Sequence, residues 1–270
     1  MTGPTAGHAS LGQLDLYYET LGTGRPLVLI HGALMTVSML NDYPALLAAS
    51  RQVIAVELQG HGHTRDIDRP LRYELLADDI AALLDHLGLP QADLFGYSLG
   101  AGVALQVAIR HPQRVGRVVA MSASYRSDGL RIDPNDVLAD DSALARLSDS
   151  AYHKAYASVA PDPQQWPGLV RKVLDLDAQP QRWPVTQLTG IESPVMLILA
   201  DSDIVRLEHA VEMFYLLGGG VVGDLQGLPA SRLAVIPGTS HSGLSDRARW
   251  VVPLVTEFLD DDSEVRHERS

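Results

Sequence analysis

"DLFGYSLGAGVAL", Asp93 to Leu105, sets one hydroxyl between two glycines at the point where one apolar run gives way to another. The approach, from Gln91 to Phe95, reads as a short buried strand, whereas Leu99 to Arg110 is apolar nearly all round and reads as a buried central helix. His111-Pro112 stops that helix, because the residue before a proline is driven out of the helical region. A strand that becomes a helix this quickly must turn sharply. Side chains at Gly96 and Gly100 would collide with neighbouring elements, and the turn lifts the Ser98 hydroxyl to the helix N-terminus, where unpaired N–H groups favour negative charge. Gly96-Tyr97-Ser98-Leu99-Gly100 thus matches G-x-S-x-G in the strand–turn–helix setting that this motif requires.

The same plan, a short apolar strand closing on small residues, recurs on both sides. "PLVLIHG" (Pro26–Gly32), "QVIAVELQGHG" (Gln52–Gly62), "VGRVVAMSAS" (Val115–Ser124), "PVMLILADSD" (Pro194–Asp203) and "RLAVIPGTSH" (Arg232–His241) all follow it, and "LDLYYE" (Leu14–Glu19) precedes them. Strands apolar on both faces belong to sheets covered on both sides, which are usually parallel. Between them lie helical patterns. From Tyr73 to Leu87 the stripe Leu75, Leu76, Ile80, Leu83, Leu84 and Leu87 packs while Asp78, Asp79, Asp85 and His86 lie off it on a solvated face, and Glu208 to Leu217 reads as another amphipathic helix. Alternating strand and helix predicts an α/β fold, a three-layer sandwich around a mostly parallel, doubly wound sheet.

One interval breaks this rhythm. Between Tyr125 and Ile191 there is no strong strand, six prolines occur, and helical pieces such as Asp140–Val159 dominate. The expected organisation is a core of residues 1–124 and 191–259, a helical lid of residues 125–190, and a flexible charged tail of residues 260–270. "GGGVVGDLQGLPAS" reads as a surface loop.

With 270 residues, 46% of them apolar, the chain can build one large core. A net charge of −12 argues against nucleic acid or anionic membranes as partners. No cysteine is present, which excludes disulfides and thiolate chemistry. The first fifteen residues lack the pattern of a secretory signal, and no apolar run approaches membrane-span length, so a cytoplasmic location is expected.

A serine hydroxyl needs a positioned base. Of ten histidines, His241 alone follows the last strand in a loop at the C-terminal sheet edge that also carries Ser98. The base needs an acid to set its tautomer, and "PVMLILADSD" offers Asp201 and Asp203, which spacing separates poorly.

The order Ser98…Asp203…His241, the elbow "GYSLG", and "LVLIHG" followed by "GHG" resemble the α/β-hydrolase superfamily from about residue 11 to residue 259, and look nearest its small lid-bearing esterase, lactonase and haloperoxidase-like branch. In that family the acid typically follows the small residue closing its strand by three positions; with Ala200 in the small position, the resemblance implies Asp203 as the acid and Asp201 as the alternative. It also implies an oxyanion hole made by the backbone N–H groups of Ala33 and Leu99, with His31 shaping the loop. Two positions depart from family patterns. Glu57 stands where an Asp is usual, at a position that tends to be structural, and the nucleophile is Ser rather than the Asp of dehalogenases and epoxide hydrolases.

The implied activity is hydrolysis of a carboxylic ester or lactone with an apolar part, a small-molecule substrate, through an acyl-enzyme. C–C bond hydrolysis and cofactor-free perhydrolysis use the same constellation, and a non-catalytic receptor ranks last. Met35, Tyr97, Tyr152, Tyr156 and Trp183 are the candidates for the substrate pocket, with Met39 and Leu40 nearby. His61, His63, Asp66 and Asp68 cluster but fit no trusted metal spacing, and "GTGRP" and "GGGVVG" are not phosphate loops, so neither metal nor cofactor is expected.

Overall fold

The computed structural model describes residues 3–132, 147–179 and 181–261. β1 (Thr5–Leu11) and β2 (Leu14–Leu21) form an antiparallel hairpin, with Leu11 opposite Leu14 and the turn residue Gly12 at φ 67°. β1 is absent from the sequence reading. Its Thr-Ala-Gly-His-Ala-Ser run has few strand-favouring residues, and pairing with β2 rather than local preference makes it extended. The remaining strands are β3 (Arg25–Ile30), β4 (Arg51–Val56), β5 (Ala92–Tyr97), β6 (Val115–Met121), β7 (Val195–Ser202) and β8 (Arg232–Ser240). They join in the order β1-β2-β4-β3-β5-β6-β7-β8, and every pairing from β4 to β8 is parallel.

Strand parity produces the layers. Val28 and Ile30 of β3 face one core while Leu27 and Leu29 face the other; Leu94 and Phe95 of β5 divide likewise. On the first side lie α2 (Tyr73–His86) and α3 (Leu99–Arg110), both anticipated almost to the residue, except that Asp79, expected on the solvated face, is buried and paired with Arg69 at 2.5 Å. The second side is covered by α1 (Tyr43–Leu47) and by a C-terminal helix, Ala248–Leu259, not foreseen from the sequence. That helix buries Val251, Val255 and Phe258, each contributing about 1.5–3 kcal/mol through apolar burial.

Between β6 and β7 the described residues form α4 (Ala151–Val159), α5 (Trp166–Asp177) and α6 (Val185–Thr189). Part of the expected Asp140–Val159 helical run lies outside the described residues. Lys172 of α5 fastens this segment to the loop after β4, donating to Asp66 and to the Ile67 and Arg69 carbonyls at 2.7–2.9 Å. α7 (Leu207–Leu216), the short α8 (Gly223–Gln226) and α9 (Ala248–Leu259) complete the chain. Within "GGGVVGDLQGLPAS", Leu225 and Leu228 stand exposed, as a surface excursion would place them. The first two residues of the expected tail are anchored rather than loose. Asp260 pairs with the buried Arg51, and Asp261 with Arg232 at 2.6 Å; residues 262–270 lie outside the described residues.

Candidate active site

The turn after β5 holds Ser98 at φ 54°, a backbone region costly for any side-chain-bearing residue, by about 1–3 kcal/mol. Three backbone bonds hold it there. Ser98 N–H donates to the Met121 carbonyl at 2.8 Å, while the N–H groups of Ala101 and Gly102 donate to the Ser98 carbonyl at 2.9 and 3.1 Å. Neither flanking glycine has positive φ; their role is close approach. A Cβ on Gly96 would run into the backbone of Gly100, and one on Gly100 into the carbonyls of Ile30 and His31. Strand β5, helix α3 and the end of β3 meet too closely there for any side chain.

β8 ends at Ser240, and His241 then brings its Nε2 to 3.1 Å from Ser98 Oγ. The Tyr97 hydroxyl donates to the His241 carbonyl at 2.7 Å, tying the loop back to the elbow. His241 Nδ1 lies 2.8 Å from Asp203 Oδ1. Asp203 is 4% exposed and also accepts from the N–H groups of Ala200 and Val205 at 3.1 and 3.2 Å. Burial alone would raise its carboxyl, but bonding and attraction to His241 and the bonds from Ser122 and Ala200 hold it below the usual carboxylate range. Asp201 is exposed and turned elsewhere, accepting from the Gly238 and Thr239 N–H groups at 2.7 and 3.0 Å. Geometry thus separates two carboxylates that spacing could not.

Ser122, which the sequence reading passed over, completes the cluster. At the end of β6 and held at φ 60°, it places its hydroxyl 2.8 Å from Asp203 Oδ1 and 2.7 Å from His241 Nδ1. One proton arrangement satisfies all three groups. The Ser122 O–H donates to Asp203, and the Nδ1–H of His241 is shared between Asp203 and the Ser122 oxygen. Nε2 then carries the lone pair that faces Ser98. The signal in the sequence was Ser122's place at the C-terminal end of the strand beside the elbow, the sheet edge where ligands gather.

Two buried histidines shape the loop after β3. His31 and His61 have no solvent exposure, and burial pushes them down to about 3 and about 4, so both are neutral. His31 Nε2 accepts from Leu58 N–H and His61 Nε2 from Leu34 N–H, both at 3.1 Å, which leaves each Nδ1–H to donate to a backbone carbonyl. Glu57 accepts from the N–H groups of Val37 and His63 at 3.0 and 2.6 Å, so the departure at this position braces the same loop. His63 stacks on Tyr17, and Asp66 pairs with Lys172. Among the described residues no three His, Asp or Glu side chains are gathered as metal ligands.

A cavity of about 240 Å³ opens over Ser98, small beside the roughly 300–1,000 Å³ of most ligand sites. Ala33, Leu99, Ser122 and His241 line its reacting end, and Leu130, Leu174, Ile204 and Val205 its apolar wall. Met35, Tyr97, Tyr152, Tyr156 and Trp183, the expected pocket residues, are not in the lining. They serve packing instead: Trp183 stands edge-on to Tyr73, Tyr156 tilts against Trp166, and Met35 and Tyr97 lie in the second core. Aromatic residues in that segment have more apolar surface to hide than a small cavity can use, and they bury it between helices.

The alpha/beta hydrolase fold model matches residues 25–163, just over half of the chain. The chain is 28% identical over 260 residues to the pimeloyl-[acyl-carrier protein] methyl ester esterase of Neisseria meningitidis serogroup C, covering 87% of this chain and 94% of that one. A 2-hydroxymuconate semialdehyde hydrolase of Pseudomonas sp. (strain CF600) is 40% identical over 107 residues, covering 38% of either chain; such higher-identity matches span less than half of the relatives' length. The enol-lactonase from Burkholderia xenovorans LB400 superposes with a TM-score of 0.72 at 19% identity, covering 94% of this chain and 100% of that one, a likeness of fold. Among the described residues no helix is long and apolar enough to cross a membrane. By its strand order, its elbow and the matched family model, the chain belongs to the alpha/beta hydrolase fold family.

Proposed function

We propose that this protein hydrolyses carboxylic esters or lactones with a modest apolar part through Ser98, His241 and Asp203. The observation that carries this reading is the unbroken line Ser98 Oγ–His241 Nε2 and His241 Nδ1–Asp203, at 3.1 and 2.8 Å, opening on a cavity. In it Ser98 attacks the carbonyl as His241 takes its proton. Asp203 stabilises the imidazolium, and the N–H groups of Ala33 and Leu99 receive the oxyanion. His241 then returns the proton to the leaving alcohol, and water releases the acyl group by the same steps. From the segment between β6 and β7, described residues such as Leu130, Leu174 and Gln181 supply part of the cavity wall. The relatives named as methyl ester esterase support ester chemistry. Among the described residues no lysine or arginine lines the cavity, and its described lining is rich in aliphatic groups, which suits an ester with an apolar part.

A series of p-nitrophenyl esters graded in acyl length, run beside lactones of several ring sizes, tests the reading. Short to medium acyl chains should be turned over, with kcat/KM falling once the chain outgrows the cavity. A fluorophosphonate should label the protein at Ser98. Absence of both turnover and labelling would overturn it.

Ser122 acts in this scheme as a positioning residue. Ser122→Ala should lower kcat about tenfold, the scale of one hydrogen bond to a charged group, while KM stays within about twofold. The pH dependence of kcat/KM should move with it, since the imidazolium loses part of its anchoring. An unchanged kcat and pH profile would leave Ser122 a packing residue.

A further inference from the structure

Tyr73 opens α2, and its ring lies against α3 at Gly102. A Cβ on Gly102 would fall 2.4 Å from Tyr73 Cε1, so the missing side chain is what admits the ring. Gly102 follows Ser98 by four residues, and its N–H donates to the Ser98 carbonyl at 3.1 Å. The phenol ring thus packs one helical turn, about 6 Å, along α3 from the elbow serine. Trp183 meets the same ring edge-on, with centroids 5.5 Å apart and planes at 87°. Held in this way, Tyr73 lines the cavity over Ser98 and keeps part of its surface exposed, yet its hydroxyl has no hydrogen-bond partner among the described residues. Other polar side chains of the lining are engaged. Ser122 bonds to Asp203 and His241, Ser124 donates to the Arg126 carbonyl at 2.6 Å, and Ser127 accepts from the Gln181 N–H at 2.9 Å. The side-chain amides of Gln179 and Gln181 donate to the Asp175 and Ser124 carbonyls. Asp177, exposed at the same cavity, makes no bond with the phenol. The contacts with Gly102 and Trp183 use the ring alone, and phenylalanine would make them equally well. What tyrosine adds at this wall is a donor.

We propose that Tyr73 is a specificity determinant of the cavity: its hydroxyl donates to a second oxygen of the substrate, an ether or ketone oxygen a few atoms from the scissile carbonyl, and so favours such esters over their all-carbon isosteres. A phenol is protonated throughout the neutral range, its ordinary value being about 10, and donates more strongly than it accepts. One helical turn corresponds to a separation of a few chain atoms, so one small substrate can reach both Ser98 and Tyr73. Among the described residues no lysine or arginine lines the cavity, which suits a neutral oxygen better than a carboxylate as the acceptor. The role rests on the ester-hydrolase reading for its kinetic consequence, but binding of an oxygen-bearing ligand does not depend on turnover.

The test compares wild type with Tyr73→Phe, which keeps the ring and its packing. One series of p-nitrophenyl esters replaces a single methylene of the acyl chain by an ether oxygen, moved one position at a time; a second series of alkyl acetates does the same in the alcohol part. Each ester is set against its all-carbon parent. An ether oxygen alters the intrinsic reactivity of the ester, and comparing the oxa-to-carbon ratio between the two proteins cancels that change. With the oxygen at the matching position, the ratio of kcat/KM should be about fivefold higher in wild type than in Y73F, chiefly through KM, the scale of one neutral hydrogen bond. At other positions, and for the carbon parents, the two proteins should agree within about twofold. A tyrosine that only packs would show no such dependence on position. In parallel, calorimetric titration with the corresponding methyl ketones, which have no leaving group, measures binding without turnover. If no ester is turned over yet an ether-bearing ketone gains about fivefold in affinity over its carbon parent in wild type and not in Y73F, the hydrolase reading fails and the role of Tyr73 stands. If esters are turned over with the same ratios in both proteins at every position of both series, the role of Tyr73 is overturned and the hydrolase reading stands. Absence of turnover together with equal ketone binding in the two proteins overturns both.

Discussion

Ser98→Ala should reduce ester turnover by about 10⁴-fold or more while leaving the fold intact. The size follows from what is lost. Without Oγ there is no acyl-enzyme, and His241 and Asp203, which act only through that oxygen, lose their task as well; removing the nucleophile therefore costs nearly as much as removing all three groups. What survives is the residual effect of binding and of oxyanion donors on attack by water. Little structural cost is expected, because the bonds that hold the turn use the Ser98 backbone and not its hydroxyl. Alanine must still adopt φ 54°, a strain serine already bears. Steady-state kinetics with a p-nitrophenyl ester, together with a melting curve, would check both halves. A variant with wild-type esterase activity would remove Ser98 from the mechanism and turn attention to Ser122, the other hydroxyl beside His241.

Asp203→Asn should cost about 10⁴-fold in kcat, whereas Asp201→Asn should change kcat by less than about threefold. The carboxylate of Asp203 accepts from His241 and so dictates which ring nitrogen carries the proton. An amide can present its NH₂ to Nδ1 instead, which favours the other tautomer and leaves Nε2 protonated against Ser98. Asp201 makes no such contact; it caps the Gly238–Thr239 turn, so its loss should appear in stability rather than in catalysis. The two variants also differ in acid. Asp203's carboxyl is depressed in the folded state, so it stabilises the fold above its unfolded value of about 3.9, and that contribution is lost as pH falls through the lower folded value. Denaturation from about pH 6 down to about pH 2 should show wild type losing its advantage over D203N across that window. Equal kcat losses in D203N and D201N would refute the assignment.

Local features were legible in the chain itself. The elbow could be read from "GYSLG" because its demands are short-range: two positions too crowded for a Cβ, a serine between them, a strand before and an apolar helix after. Helices α2 and α3 were legible for the same reason, since each is set by a periodic stripe and a nearby stop signal. Likewise the alternation of short apolar strands with helices dictated a covered, mostly parallel sheet.

Tertiary structure decided whatever depends on partners far along the chain. β1 becomes a strand because β2 offers it a ladder, and the C-terminal helix forms where the second face of the sheet needs covering. Asp201 and Asp203 are two residues apart, and only the path of the chain leaving β7 turns one toward His241 and the other toward the β8 turn. Ser122 enters the site because β6 lies beside both the elbow strand and β7, an adjacency no local pattern encodes. The aromatic residues between β6 and β7 drew attention in the sequence for their size, and size is why the fold hides them between helices, leaving the described lining to Tyr73 and to aliphatic groups such as Leu130, Leu174 and Val205. The chain's own order of residues thus determined the serine at the elbow and its partners by type, while packing across the sheet selected which carboxylate, which second hydroxyl and which wall stand beside it.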